Sequence, residues 1–357
     1  MINYIAHWDR ILIQSRSEII SELKEYKFRA ICPYNNSNKI EDYYFEKINW
    51  KISKTKLFDF KAIFRLKKIL DELDENSIVH VFTLKSGFFF MIASFFSRKN
   101  FISTLSITGL GYIFSNRLSA KLIKLLLRPI FILLINKTFK NIIYQNSSDQ
   151  NIFNKYSNFD NNSYLIESSG LPSNQYLLKQ KFNKQLKVIL AARLLEDKGI
   201  NEYINLASQM NSENLKFYLA GELDEGNPKS LSMRDLENIK NNEFVEYLGY
   251  LDLKKELKEY DVLVSLSNHE GFSRILLEAI YVGLYCIAFK NSGTEFIDNF
   301  QNTKIIDSKN LEIFNNELMK ILNNDKNISL QNRESINEKY STKKIANAFD
   351  KIYKLEF

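Results

Sequence analysis

One feature limits the folds open to this chain more than any other: it alternates, twice over, between two kinds of segment. Short runs dense in Ile, Val, Leu and aromatic residues are followed by longer stretches in which apolar residues recur every third or fourth position. The first pattern belongs to buried strands, the second to one-sided helices. Strands are expected at 2–6 (INYIA), 29–34 (RAICPY), 77–82 (SIVHVF), 100–106 (NFISTLS) and 141–146 (NIIYQN). Helices are expected at 12–26, 60–73, 87–96 and about 117–140. The series then restarts, with strands at 186–192, 215–221, 245–249, 261–266 and 285–289. Helices at 200–210, 231–241, 253–260 and 273–283 separate them, and a short one is expected at 294–300. Such alternation predicts an α/β protein with parallel sheets, here two Rossmann-like doubly wound domains facing across a cleft. The expected domains are residues 1–168 and 169–340, with residues 341–357 forming an amphipathic helix that crosses back onto the first.

Composition agrees with two such domains. A chain of 357 residues that is 45% hydrophobic and 25% charged can build real cores. Only Cys32 and Cys286 occur, far apart, which argues against a disulfide framework or a zinc site and suits a reducing cytosol. The opening MINYIAHWDR has no basic leader, so no secretory signal is expected. The most apolar long stretch, 122–139, is interrupted by Lys124, Arg128, Pro129 and Lys137, and is not expected to span a bilayer.

Charge divides the chain unevenly. Residues 1–180 hold 25 Lys and Arg against 15 Asp and Glu, whereas the remainder holds 24 against 27. From Asn76 to Ser148 there is no acidic residue, but there are nine basic ones: Lys85, Arg98, Lys99, Arg117, Lys121, Lys124, Arg128, Lys137 and Lys140. The same stretch is rich in Phe, Leu and Ile. Basic and apolar residues together favour an anionic membrane surface, the alternative being a solvated basic face over an ordinary core. Nucleic acid is not an expected partner, since no nucleic-acid motif accompanies the charge.

The chemistry gathers at strand ends in the second half. After the strand in VILAARLLEDKG come Arg193 and Lys198, where doubly wound sheets bind ligands. A guanidinium fork and a mobile ammonium together match a nucleotide diphosphate, although strand-end loops also carry such charges without function. After DVLVSL comes NHEGFSRILLEA, with Glu270 and Glu278 eight positions apart. Gly271 permits close approach, Ser273 is positioned to cap the helix, and the first-turn amides form an anion site. A carboxylate aimed at phosphate would repel it, so the glutamates are expected to accept hydrogen bonds from sugar and ribose hydroxyls. Alone, Glu278 reads equally as a solvent-facing helix residue and Glu270 as a first-turn acid favoured by the helix dipole. Gly221 in YLAGELDEGNP and Gly249 in VEYLGYLD mark further strand-to-loop transitions.

The spacing Glu270-x7-Glu278, with VILAARLLEDKGI, FYLAGELDEGNPKS, VEYLGYLD and EGFSRILLEAIYVGLYCIA in order, resembles the retaining glycosyltransferases of family 4, which have the GT-B fold. HVFTLKSG, ITGLGYIF, IIYQNSSDQNIF and LIESSGLP resemble its lipopolysaccharide, O-antigen and capsule branch. That branch includes N-acetylgalactosaminyltransferases acting on undecaprenyl-diphosphate-linked sugars. The resemblance implies that Arg193 and Lys198 hold the diphosphate, Glu278 the ribose and Glu270 the donor sugar. The amides of Gly271, Phe272 and Ser273 would cradle phosphate or sugar, with Gly221 and Gly249 also on the donor side. It implies that Gly109 to Tyr112 face the donor from the first domain, with Thr108, Gly109 and Gly111 on the acceptor side and Lys85 for an acceptor phosphate.

Some positions depart from the pattern. Thr108 stands where wider relatives have histidine, Ser273 where many have proline, and FKNSGTEFI keeps only Gly293 and Glu295 of a longer motif. IAHWDR replaces a Gly-rich loop, and His7 there reads either as an acceptor-side base or as a strand-end histidine. The resemblance further implies metal-independent, cofactor-free hexosyl transfer with retention, from a UDP-linked donor to an undecaprenyl-diphosphate-linked saccharide. It would occur at the cytoplasmic face of the cell membrane. A non-catalytic membrane-associated scaffold and a polyanion-binding protein are the alternatives.

Overall fold

A computed structural model of the chain describes residues 1–34, 43–56, 59–114, 118–210, 212–227, 229–307, 310–324 and 326–355. Arg117 of the acid-free stretch lies outside them. The chain divides into two compact units, Met1–Gly170 with Thr342–Phe357, and Leu171–Ser341.

The first unit is built on seven parallel strands: β1 (Ile2–Ala6), β2 (Phe28–Cys32), β3 (Glu46–Asn49), β4 (Ser77–Phe82), β5 (Phe101–Ile107), β6 (Asn141–Tyr144) and β7 (Asn162–Leu165). They lie in the order β3-β2-β1-β4-β5-β6-β7. Alternate residues of the central strands feed two cores: Ile5, Val79 and Val81 pack on one face, Tyr4, Ile78 and Phe82 on the other. Burial on both faces is what parallel strands require, and it explains their unbroken apolar runs. The connecting helices are α1 (Asp9–Ser15), α2 (Ser17–Glu22), α3 (Phe60–Glu72), α4 (Leu84–Phe95), α5 (Leu118–Thr138) and α6 (Ser147–Ser157). The single helix expected at 12–26 is two, because the chain breaks at Arg16, whose buried guanidinium lies 4.8 Å from the Phe82 ring centre.

The second unit has six parallel strands: β8 (Leu186–Ala191), β9 (Leu215–Ala220), β10 (Val245–Gly249), β11 (Val262–Ser265), β12 (Tyr285–Phe289) and β13 (Thr303–Ile306), in the order β10-β9-β8-β11-β12-β13. Its helices are α7 (Ile200–Gln209), α8 (Met233–Lys240), α9 (Leu253–Glu256), α10 (Arg274–Val282), α11 (Leu311–Asn323) and α12 (Leu330–Tyr340). The expected helix at 253–260 shortens to α9 followed by a 3-10 turn, and that at 294–300 is a 3-10 turn, Glu295–Asn299.

The last helix, α13 (Thr342–Lys354), packs with α2 of the first unit. Its Ile345, Phe349 and Ile352 enter the β1–β2 core. Tyr353 fixes its register: its hydroxyl lies 2.9 Å from the Tyr4 hydroxyl and 2.6 Å from His80 Nδ1, and His80 Nε2 meets Ser106 Oγ at 2.7 Å. All four side chains are buried, so each polar atom has its partner inside the protein.

In both sheets the chain winds first to one side and then to the other. The reversal falls between β1 and β4 in the first unit and between β8 and β11 in the second. Loops at the carboxyl ends of two such strands diverge and leave room for a ligand.

Candidate active site

In the second unit, three loops meet at the reversal point. The loop after β8 carries Arg193 and Lys198 and ends at Gly199, which adopts φ +73°. A Cβ there would stand 2.4 Å from Leu266 Cβ and 2.5 Å from the Leu266 carbonyl oxygen, so glycine alone lets the β8 and β11 loops touch. The Asn268 amide donates to the Asp197 carbonyl at 2.9 Å, and Asn291 Nδ2 after β12 donates to the Ser267 carbonyl at 3.0 Å. A Cβ on Gly293 would lie 2.5 Å from Glu270 Cβ, so the third loop rests directly on Glu270.

This stitching brings together two residues that the sequence separates by 72 positions. Lys198 Nζ donates to Glu270 Oε1 at 2.5 Å and approaches Ser267 Oγ at 3.4 Å. The pair is 14% and 22% exposed, shielded but open to solvent from one side. Asp197 points away and pairs with Lys229 at 2.7 Å. Burial opposes the ionised form of Asp197, but the hydrogen bond and charge of Lys229 hold its carboxyl below the usual range.

Arg193 takes a different partner. Its Nη1 donates to Asp224 Oδ2 at 2.6 Å; the Arg193 side chain is 44% exposed, whereas Asp224 is buried. Asp224 is itself fixed by Asn227 Nδ2 at 2.9 Å and by its own amide donating to Ser230 Oγ at 3.0 Å. Gly221 and Gly249 lie at the ends of β9 and β10, where the Gly221 amide donates to the Gly249 carbonyl at 2.8 Å.

Glu278 faces the protein rather than solvent. It is buried on α10, and its Oε1 accepts from Tyr176 OH at 2.6 Å and Arg274 Nε at 2.8 Å. Burial, and then the Glu278 charge, push the Tyr176 phenol far above its ordinary pKa, so it stays a donor.

Ser273 occupies the N-cap position of α10 but does not cap it. Unlike Ser232, whose hydroxyl caps α8, it makes no side-chain bond to an amide of its helix. The Ser273 amide donates to the Gly293 carbonyl at 2.9 Å, so of the three expected cradle amides this one is already engaged. Its hydroxyl is buried with no hydrogen-bond partner among the described residues. An orphaned donor beside Glu270 is where a ligand group or a water would bond. The Phe272 ring stacks on Phe296 with centroids 4.3 Å apart, which holds the Glu270 loop against the core.

The first unit has its own polar cluster at its reversal point. His7 follows β1, and its Nδ1 lies 2.9 Å from Thr83 Oγ1 and 3.0 Å from Ser86 Oγ, both after β4. Burial, then the charges of Lys85 and Lys54, push His7 down to about 3, so the ring is neutral at physiological pH. Thr83 adopts φ +78°, costly for a β-branched residue. Lys85 Nζ donates to the Ser53 and Lys54 carbonyls at 2.7 and 2.9 Å, which occupies two of its three protons. Burial brings Lys85 down to about 8. Thr108, Gly109 and Gly111 follow β5, with Gly109 and Gly111 at positive φ.

Sequence reasoning did not identify Asp224, Tyr176, Arg274 or Ser267. Arg274 was legible in principle, four residues before Glu278 on one helix face. Tyr176 and Asp224 lie 102 and 31 positions from their partners, a distance at which only the fold pairs them. Among the described residues, no three His, Cys, Asp or Glu side chains gather as a metal site would require.

Two parallel doubly wound sheets, one of them with paired cations and carboxylates at its reversal point, define a nucleotide-binding class of architecture. Residues 2–146 match the family model described as "Glycosyl transferase 4-like", and residues 177–341 that described as "Glycosyl transferases group 1". The chain therefore carries the two domains of a GT-B glycosyltransferase. Sucrose-phosphate synthase from Thermosynechococcus elongatus superposes with a TM-score of 0.81 at 14% identity, over 99% of this chain and 98% of that one. Anabaena HepE in complex with UDP and glucose gives 0.75 at 15% identity, over 99% of both. By sequence, 129 residues are 29% identical to the UDP-N-acetylglucosamine--peptide N-acetylglucosaminyltransferase GtfA subunit of Streptococcus pneumoniae serotype 4. That match takes in 35% of this chain but only 25% of the relative's length.

Proposed function

We propose that the protein transfers a hexose or N-acetylhexosamine from a UDP-linked donor to an undecaprenyl-diphosphate-linked saccharide. The transfer would retain the anomeric configuration and serve bacterial surface-polysaccharide synthesis at the inner face of the cell membrane. The observation that carries this reading is the Lys198–Glu270 pair at the reversal point, with Arg193 on the same loop. The UDP and glucose bound by HepE, and the UDP-N-acetylglucosamine named for GtfA, support the donor class. The branch motifs HVFTLKSG, ITGLGYIF and IIYQNSSDQNIF support the acceptor.

Arg193 and Lys198 would bind the diphosphate and stabilise its charge as it leaves, the largest contribution expected of a preorganised site. Lys198 has one further proton for phosphate while it holds Glu270 and Ser267. Glu270, so oriented, would accept from a donor-sugar hydroxyl. Glu278 keeps Oε1 for Tyr176 and Arg274 and would offer Oε2 to the ribose diol. The orphaned Ser273 hydroxyl and the Gly271 and Phe272 amides would complete the donor contacts. The acceptor oxygen would then bond to the anomeric carbon on the face from which the diphosphate departs. The carbon–oxygen bond to phosphate breaks, its electron pair goes to the phosphate oxygen, and that oxygen takes the acceptor's proton. No protein base is required, which agrees with a His7 ring held between two hydroxyls.

The test is turnover of a panel of UDP-, GDP- and ADP-sugars with a lipid-linked acceptor, the product anomer being read by NMR. An α-linked donor should give an α-linked product; a β-linked product would overturn the retaining mechanism, and absence of any transfer the function itself.

A further inference from the structure

The acid-free stretch resolves into one helix with an unusual face. α5 is long enough to reach across a bilayer, but no helix of the described residues is apolar enough to do so. Its inner side is ordinary: Ala120, Leu127, Phe131 and Ile135 are buried in the first unit's core. The outer side should be polar in a helix that meets only water. Instead Leu118, Leu122, Leu125 and Leu133 are 80%, 63%, 67% and 65% exposed. At about 100° per residue these four fall within roughly 80° of one another and form a single stripe. Lys121 and Arg128 border the stripe on one side and Lys137 on the other, all three exposed. Scattered surface leucines need no explanation, but a continuous stripe marks an interaction site.

We infer that α5 is a docking helix that lies in the plane of an anionic phospholipid surface, with its leucine stripe in the acyl boundary and its flanking cations at the headgroups. Charge complementarity selects this occupant over a second copy of the chain. The charged residues that edge the stripe are all cations, and no acidic residue occurs between Asn76 and Ser148 to pair with them. Two identical faces meeting would bring Lys121, Arg128 and Lys137 against like charge, whereas an anionic leaflet neutralises them. Interfacial helices have this distribution, with Lys and Arg beside an apolar face and too many charges to span.

The placement also has a consequence within the first unit. α5 follows β5 and begins at the carboxyl edge of the sheet, the edge that carries His7, Thr83 and Gly109. A membrane seated along α5 would therefore meet the same edge of the unit that the proposed acceptor would use. The inference deepens the lipid-linked reading of the proposed function but does not depend on turnover.

The test is co-sedimentation of the full chain with vesicles of phosphatidylcholine alone and with 30% phosphatidylglycerol, alongside two variants. Leu118→Gln/Leu122→Gln/Leu125→Gln/Leu133→Gln removes the stripe, and Lys121→Ala/Arg128→Ala/Lys137→Ala removes the border. All seven side chains are exposed, and the bond from Arg128 Nε to the Tyr156 carbonyl at 3.3 Å is a surface contact, so both variants should melt within a few degrees of the wild type. The wild type should partition onto the anionic vesicles and lose binding as salt rises. At about 1 kcal/mol per cation near the surface, the border variant should bind on the order of a hundredfold more weakly. The stripe variant should lose at least tenfold. Wild-type protein that stays in solution, or a stripe variant that binds like wild type, would overturn the inference. So would a wild-type dimer that the stripe variant dissociates, which would assign the face to a second copy. If vesicles bind but no nucleotide-sugar is turned over, the docking face stands and the transferase reading falls. If sugar is transferred to a water-soluble acceptor but no vesicles bind, the transferase reading stands and the docking face falls.

Discussion

Replacing Lys198 with alanine should harm turnover far more than folding. The Lys198–Glu270 pair is short, at 2.5 Å, yet both side chains remain partly open to solvent. Such a pair contributes about 1 kcal/mol to stability, which lowers the melting point of a domain of this size by about 2–4 °C. The expected catalytic loss is larger, about 100- to 1,000-fold in kcat, the usual effect of removing one preorganised group that stabilises charge in the transition state. Lys198→Ala also leaves the Glu270 carboxylate without its cation beside the incoming diphosphate, so donor binding should weaken as well. Glu270→Gln and the double variant separate the two effects. If Lys198 served only to neutralise Glu270, the double variant would regain the turnover of Glu270→Gln. If both residues contact the donor, the double variant should be at least as slow as the slower single one. Nucleotide release, followed by a coupled assay alongside thermal melting, gives both readouts. Turnover of Lys198→Ala within threefold of wild type, or recovery in the double variant, would refute the reasoning.

Further expectations concern the residues around this pair and in the first unit. Glu278→Gln keeps the shape but exchanges a charged acceptor for a neutral one. Hydrogen bonds to charged groups contribute about 1.5–3 kcal/mol, so the donor KM should rise about 10- to 150-fold with a smaller change in kcat; an unchanged KM would remove Glu278 from the ribose. His7 has a folded pKa of about 3, below its unfolded value, so its contribution to stability is complete above about 6.5 and is lost as pH falls toward 3. Between pH 6.5 and 5 that loss is about 2 kcal/mol, and His7→Gln should flatten this part of the curve in urea titrations at the two pH values. Tyr353→Phe would strand the buried His80 and Tyr4 polar atoms and should destabilise the first unit by about 1–3 kcal/mol in the same assay.

The central strands and most helices were legible because their apolar periods reflect burial on two faces or one. β3, β7 and β13 were not, and the reason is position: each is an edge strand of only four residues, with partners on one side. EKIN and NSYL show neither an apolar run nor alternation. α6, α11 and α12 were not expected; of these α12 (LQNRESINEKY) has few apolar residues and they do not recur on one face, though Ile336 and Tyr340 are buried. The charged members of the site stood out at strand ends, where the doubly wound pattern directs attention. Their partners within the protein could not be read: Arg193 pairs with Asp224 and Lys198 with Glu270. The Ser273 capping reading failed, because its buried hydroxyl accepts from no α10 amide.

The most direct test of the account is a calorimetric titration of UDP into the full chain, the wild type beside Arg193→Ala/Lys198→Ala. The wild type should show saturable one-site binding, weakened by at least two orders of magnitude in the variant while its melting point shifts by only a few degrees. Equal UDP affinity in the two proteins, or no binding by the wild type, would contradict the account.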